Sequence, residues 1–298
     1  MAKRGIPLSR GDRIFDFVNI ALLTVILIIV LYPLYFVLIA SVSDPVLVLQ
    51  GKVWFMPETF SFEPYMRVFQ NADIVTGYRN VILYTVVGTL VNLILTVAGA
   101  YPLSRKDFAG RNAIMLLITF TMFFSGGIIP TYMVVRDLGL VNSFWALILP
   151  GAVSVWNLII MRTFFQNTIP TELQESAFMD GCSNFRLLIS IILPLSMPVV
   201  AVVTLYYAVG HWNSYFQALI YLSDRSRYPL QMFLRELLIQ NQMQNMMETD
   251  SESMAKQALM AEGLKYAVIV VSSLPVLCLY PFLQRYFAKG VMIGAVKG

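Results

Sequence analysis

The chain has 298 residues, of which 58% are hydrophobic and 13% charged, about half the charged fraction of an average soluble protein. Six stretches free of Asp, Glu, Lys and Arg (17–43, 80–104, 112–135, 138–161, 187–223 and 266–284) each approach or exceed the roughly 20 residues that cross a ~30 Å hydrocarbon core, and too little polar sequence remains to cover six buried helices in water. With the N-terminus inside, the inner segments 1–13, 104–112, 162–186 and 284–298 hold 12 Lys and Arg in 62 residues against 9 in 105 for the outer segments 41–80, 134–142 and 210–265, so the net charge of +4 is a topology signal and not a nucleic-acid footprint.

In chain order, Lys3, Arg4, Arg10 and Arg13 form a basic flank to the first span, which runs to about Ala40 with a kink expected at Pro33. The first run lacks a small-residue cleavage site and continues through Tyr32-Pro33-Leu34-Tyr35, which reads as a retained helix and not a cleaved leader. Residues 41–79 read as an outer loop with short helix, rich in Pro and aromatics. The second span, 80–104, carries Asn80 and Asn92 with the small residues Gly88, Gly99 and Ala100. A short basic loop from Ser104 to Arg111 returns to a third span, 112–133, weakened by Ser125-Gly126-Gly127 and Pro130, where close helix packing is favoured over a pathway role for the glycines.

An outer turn, Val134 to Asn142, leads to a fourth span, 143–161, with Trp145 at the interface. A fifth, from 187 to about 210, passes through Pro194 and Pro198 and should be irregular near its inner end; the sixth, 266–284, carries Pro275 and Pro281. The lone His211, next to Trp212, reads as structural. Cys182 and Cys278 show neither a pairing pattern nor metal spacing.

The segment between the fourth and fifth spans is acidic and turn-bounded. Pro170-Thr171 followed by Gln174 and Glu175 reads as a helix start with Thr171 as cap and Gln174 closing the box, Gly181 as its left-handed stop, and Ser183 or Asn184 as a second start. Two short helices over 171–186 then form a cytoplasmic knob. Glu172, Glu175 and Asp180 offer acidic points, and small Ser176 and Ala177 let a partner approach the backbone. No metal-spaced ligand set or activated nucleophile accompanies them, so docking is favoured over catalysis.

Here the sequence resembles the permease subunits of binding-protein-dependent ABC importers. Glu175-Ser176-Ala177, Gly181, Ile191, Leu193 and Pro194 stand at that family's signature spacing, with Ser176 in place of its middle alanine. Trp212-Asn213 and the tail from Gln284 to Gly298 resemble the maltose-type, carbohydrate-uptake branch. The resemblance implies an all-α integral membrane protein with six transmembrane helices, the type I importer permease fold and both termini cytoplasmic. It divides the chain into 1–79 (tail, first helix and outer loop), a permease core at 80–284 and a cytoplasmic tail at 285–298.

Further implications concern partners. Glu172, Glu175, Ser176, Ala177, Asp180, Gly181, Ile191, Leu193 and Pro194 would couple to an ATPase, and Gly294, Ala295, Val296, Lys297 and Gly298 would form a tail reaching the ATPase dimer. The partners implied are a second, related permease in a heterodimer, two copies of a cytoplasmic ABC ATPase, an extracellular or periplasmic solute-binding protein, a sugar and the bilayer of a bacterial cytoplasmic membrane. The chain would bind no cofactor itself, since it has no phosphate-cradling G-x-x-x-x-G-K-[ST] loop; ATP and Mg belong to the partner ATPase.

An ion-coupled secondary transporter is the first rival, and the absence of ionisable residues inside the spans opposes it. A non-sugar solute permease and a membrane enzyme are the others, the latter opposed by the lack of any nucleophile–base pair. A sugar route needs aromatic faces and amide or hydroxyl groups, which Asn92, Asn157, Tyr206, Tyr207, Trp212 and Asn213 supply.

Overall fold

A computed structural model describes residues 9–246, 263–278 and 281. The described residues are helical, apart from turns and one isolated bridge between Ser43 and Phe60. They fall into two compact units, one from residues up to Gln70 together with 237–272, the other from Asn71–Glu236 together with residues from Ser273 onward.

In the first unit, α1 (Arg10–Ser41) starts with a reciprocal box in which the Ser9 hydroxyl accepts from the Asp12 N–H and the Asp12 side chain accepts from the Ser9 N–H. The helix runs through Pro33 without ending there. Its side chains from Ile14 to Leu34 are mostly exposed and apolar, the composition of a helix whose solvent is lipid. After α1, the chain is pinned back on it: Tyr35 donates to the Phe55 carbonyl at 2.7 Å, and the Ser41 and Tyr65 hydroxyls meet at 2.7 Å. The short helices α2 (Pro45–Leu49), capped by Asp44, and α3 (Glu63–Gln70) fill this segment. In the apolar helix Gly263–Cys278, Gly263 leaves room for Pro45, whose ring would lie 2.5 Å from an added Cβ.

The spine of the second unit is α4 (Ala72–Ser104), started by Asn71, whose side chain accepts from the Asp73 and Ile74 N–H groups. The cap sets the start at Ala72, earlier than the charge-free run from 80 suggests, because Asp73 and Arg79 are tolerated in the first turns. The third span is two helices, α5 (Arg111–Phe123) and α6 (Ile128–Asp137), meeting at 114°. Phe124 is extended and Gly127 has φ +86°, so Gly127 serves the chain reversal, and neither it nor Gly126 makes the close helix packing expected of the pair.

The fourth span is likewise broken. Two single turns, Phe144–Leu147 and Leu149–Gly151, precede α7 (Val155–Thr168), which begins only at the Ser154 cap and leaves them at 52°. After α8 (Thr171–Met179) and α9 (Asn184–Leu187), a π-helical turn over Leu188–Ile192 and α10 (Leu193–Leu195) lead into α11 (Met197–Trp212) at 86°. Proline accounts for the break: Pro198 in the first turn of α11 cannot donate to a continuing ladder. Two helices, α12 (Phe216–Tyr221) and α13 (Leu230–Met246), follow.

The core of this unit lies where α4, α7 and α11 pack together, around Val97, Tyr101, Leu158, Met161, Phe165, Val203 and Tyr207. Gly77 lets α13 approach α4 closely: an added Cβ would stand 2.9 Å from the Leu230 Cα. The start of α4 is held by the 222–228 loop. Asn80 donates to the Ser226 and Tyr228 carbonyls, Tyr84 donates to the Arg227 carbonyl at 3.1 Å, and Arg225 pairs with Asp73 at 2.7 Å.

Candidate functional site

The knob at 171–186 forms as two short helices. Its first cap differs from expectation: Pro170 is the flanking residue, it has no side chain to cap with, and Thr171 is already helical, so no box closes. Its stop is as expected. Gly181 has φ +76°, its N–H donates to the Phe178 carbonyl at 3.0 Å, and the Cys182 N–H donates to the Ala177 carbonyl at 2.9 Å. This pair of bonds is the Schellman closure, which needs a residue without a Cβ penalty at the left-handed position. Ser183 then caps α9 by accepting from the Arg186 N–H.

Glu172, Glu175, Ser176, Asp180 and Gly181 are exposed. Ala177 is not: it is buried in the core with Leu187, so its small side chain seats α8 on its own bundle and does not open the backbone to a partner. Ile191 and Leu193 pack half-buried against that core, and Pro194 is exposed. Two apolar side chains that the charge pattern does not single out stand free on the knob, Met179 at 88% and Phe185 at 72% exposure. Residues 294–298, expected as an ATPase-reaching tail, lie outside the described residues.

Arg105, read from sequence only as part of a basic loop, is the knob's fastening. Its guanidinium donates to Asn184 Oδ1 at 2.8 Å and to the Tyr101 hydroxyl at 3.0 Å, grips Asp107 with two bonds, and lies 4.9 Å from the centre of the Phe178 ring. Its pKa is pushed upward, chiefly by the Asp107 bonds, and the same bonds hold the Asp107 carboxyl below its ordinary value. Arg162 adds a bond from Nε to the Leu103 carbonyl at 2.9 Å. A cavity of about 580 Å³ opens beside this junction, lined in part by Arg105, Lys106, Arg111, Gln174 and Glu175.

A second cavity, about 590 Å³, lies between α4, α7 and α11, within the size range of small-molecule sites. Asn92, Asn157, Tyr206 and Tyr207 line it. Trp212 and Asn213 do not: Trp212 is buried against Tyr78 with ring centres 6.2 Å apart, and Asn213 turns back to the Val209 carbonyl. The lining adds Ser154, Trp156, His211, Ser214 and Gln217. His211 is buried within α11, four residues after Tyr207 and so on the same helix face, which was the available signal.

Two polar pairs order this cavity. Asn92 Nδ2 lies 3.1 Å from His211 Nε2, and the Tyr207 hydroxyl bridges Thr96 Oγ1 at 2.7 Å and the Ser154 N–H at 3.0 Å. The His211 ring occupies space that only glycine leaves: a Cβ on Gly88 would fall 2.5 Å from Nε2.

Residues 5–293 match the family described as the binding-protein-dependent transport system inner membrane component. The chain belongs to this family. Protein LplC of Bacillus subtilis is 43% identical, covering 97% of this chain and 97% of its own length. The polygalacturonan/rhamnogalacturonan transport system permease protein YtcP of the same organism is 42% identical over 96% of this chain and 99% of its own. Among solved structures, a chain of a bacterial ABC transporter involved in the import of the acidic polysaccharide alginate superimposes with a TM-score of 0.86 at 35% identity, covering 95% of this chain and all of that one. The permease therefore has the type I importer fold, and its straight helices and bent helix pairs are long and apolar enough to serve as membrane spans.

Proposed function

We propose that this permease is one of two membrane subunits of an ATP-driven carbohydrate importer in a bacterial cytoplasmic membrane. It pairs with a second, related permease, receives its sugar from an external solute-binding protein, and is moved by two copies of a separate ABC ATPase that bind ATP and Mg. The observation that carries this reading is end-to-end similarity to importer permeases, together with a rigid two-helix knob at the family's signature spacing. Two of those relatives bear the names of uronate-rich polysaccharides, which supports oligosaccharides cut from such polymers as the substrate class.

In this reading both termini and the knob face the cytoplasm. Glu172, Glu175, Ser176, Asp180 and Gly181, with Met179 and Phe185, form the surface that the ATPase grips. Closure of the ATPase dimer displaces α8 and α9 as a body. The displacement passes through Arg105 into α4, and the proline- and glycine-broken spans rock around the cavity between α4, α7 and α11 to expose it alternately to each side. The core at 80–284 is the moving permease body in this scheme.

Labelling tests the orientation on which all of this depends. In a background with Cys182 and Cys278 replaced by Ser, a Ser176→Cys variant is expected to resist a membrane-impermeant maleimide on intact spheroplasts and to react once they are opened. Reaction on intact spheroplasts would overturn the coupling role. Uptake of a labelled galacturonate trisaccharide by cells carrying the whole importer tests the substrate class.

A further inference from the structure

Along α4, Thr85, Thr89, Asn92 and Thr96 stand at intervals of four, three and four residues, which places them in one stripe on the helix. Thr24, Thr76, Thr131 and Thr204 return their hydroxyl to the carbonyl four residues earlier at 2.7–2.8 Å. Thr85 and Thr89 do not. Their buried Oγ1 atoms have no partner among the described residues, and neither has Oδ1 of Asn92, whose residue is only 2% exposed. A buried polar atom left unpaired is costly and needs an explanation.

The explanation lies in what Asn92 borders. It lines the 590 Å³ cavity, and its amide is fixed from one side by His211, itself seated by the absence of a side chain at Gly88. With Nδ2 donating to the ring, His211 carries its proton on Nδ1, and Oδ1, which has no accessible surface in this conformation, is an acceptor that a ligand meets only when the wall around it opens. The lining also offers Ser154, Gln217 and Tyr206, and it contains no Asp, Glu, Lys or Arg.

We infer that this chain holds a saccharide subsite of its own, in which Asn92 reads a ring hydroxyl and His211 is the positioning residue that aims it. It reads the ligand through hydroxyls, and since its lining holds no cation, the carboxylate of a uronate unit would have to point away from this chain's lining. A sugar hydroxyl donates to Asn92 Oδ1, another hydroxyl meets Gln217, and the aromatic rings cover the C–H face. Thr85 and Thr89 extend the same unspent polar stripe beyond the cavity along α4. The inference rests on the importer reading and deepens it.

The test uses the complete importer, with its partner permease, ATPase and binding protein, in proteoliposomes. Uptake is measured with a galacturonate trisaccharide and with maltotriose, and ATPase activity and thermal stability are followed in parallel. Asn92→Leu is expected to raise KM for whichever sugar the wild type carries by about tenfold, the loss of one buried hydrogen bond. Asn92→Ser should recover part of it. Gln217→Ala, at an exposed position that the core does not need, should raise KM without lowering stability, and it decides the matter if Asn92→Leu fails to assemble. Unchanged KM in the variants that assemble would overturn the subsite while leaving the importer reading intact. A wild-type complex that moves neither sugar would overturn the carbohydrate reading, and the subsite with it.

Discussion

Arg105 and Asn184, 79 residues apart in sequence, are joined at 2.8 Å by a bond from the guanidinium to the amide oxygen. The bond ties the end of α4 to the start of α9, and the same guanidinium covers Phe178 at the end of α8, so one side chain holds both helices of the knob against the bundle. Arginine suits this because its planar fork can bond Asp107 with two donors while others reach Tyr101 and Asn184.

Arg105→Ala should therefore loosen the knob without unfolding the spans. We expect about 1.5–3 kcal/mol of lost stability, the usual worth of a hydrogen bond to a charged group. Transport should fall further than stability, because a loosened knob no longer passes displacement to α4. Arg105→Lys keeps the charge but loses the fork and should behave much more like Ala than like the wild type. Sugar-stimulated ATP hydrolysis and thermal unfolding of the purified complex, measured side by side, separate the two effects.

The Arg105–Asp107 contact sets a pH dependence of known sign. Because Asp107 titrates below its ordinary 3.8 in the folded protein, its stabilising effect is complete above that value and is lost as pH falls through the lowered one. Asp107 is largely exposed, so solvent keeps the effect small. The melting-temperature difference between Asp107→Asn and wild type should be flat from about pH 5 to 8 and shrink only in more acid buffer. A difference that grew on acidification would contradict the pairing.

At Gly181 the backbone, not the space, sets the constraint: φ is +76° and nothing lies within 4 Å of an added Cβ. Gly181→Ala should cost about 1–2 kcal/mol, Gly181→Val more, and Gly181→Asn least, since asparagine tolerates the left-handed region. Co-purification of the ATPase subunit should fall in the same order.

Gly88 presents the opposite case, ordinary helical backbone with no room. Gly88→Ala pushes a methyl onto the His211 ring and should cost about 1–3 kcal/mol as overpacking, whereas Gly126→Ala, whose nearest neighbour is a Pro130 side-chain atom at 3.5 Å, should be nearly neutral.

Tyr207→Phe leaves both the Thr96 hydroxyl and the Ser154 N–H without their partner, and about 1–3 kcal/mol for each orphaned group is expected. Tyr207→Phe combined with Thr96→Val should cost less than the two single variants together, because the second change removes a group the first had stranded. Chemical denaturation of the four proteins closes that cycle.

How far the sequence reaches is visible in α8. Gly181 as a left-handed stop and Ser183 as the next cap follow from local rules, because φ preference and side-chain capping act within a few residues. Ala177 shows where such rules end. Its smallness signals close approach, but whether the approaching surface is a partner or the protein's own Leu187 and Phe165 depends on contacts distant in sequence. The apolar runs likewise fix that the chain crosses the bilayer, since hydrocarbon tolerates few charges over that length. They do not reveal that the third, fourth and fifth spans bend by 114°, 52° and 86°, because a charge-free run reads the same straight or broken.

The same division holds for the polar residues. Composition alone nominates Asn92, Asn157, Tyr206 and Tyr207, for amides and aromatics in a span need a reason to be there. Only packing decides that Asn92 meets His211, that Trp212 turns away, and that Arg105 rather than an acidic residue anchors the knob. The physical reason is range: helix formation, capping and partition into lipid are governed by neighbours along the chain, whereas a cavity exists only once α4, α7 and α11 are set side by side.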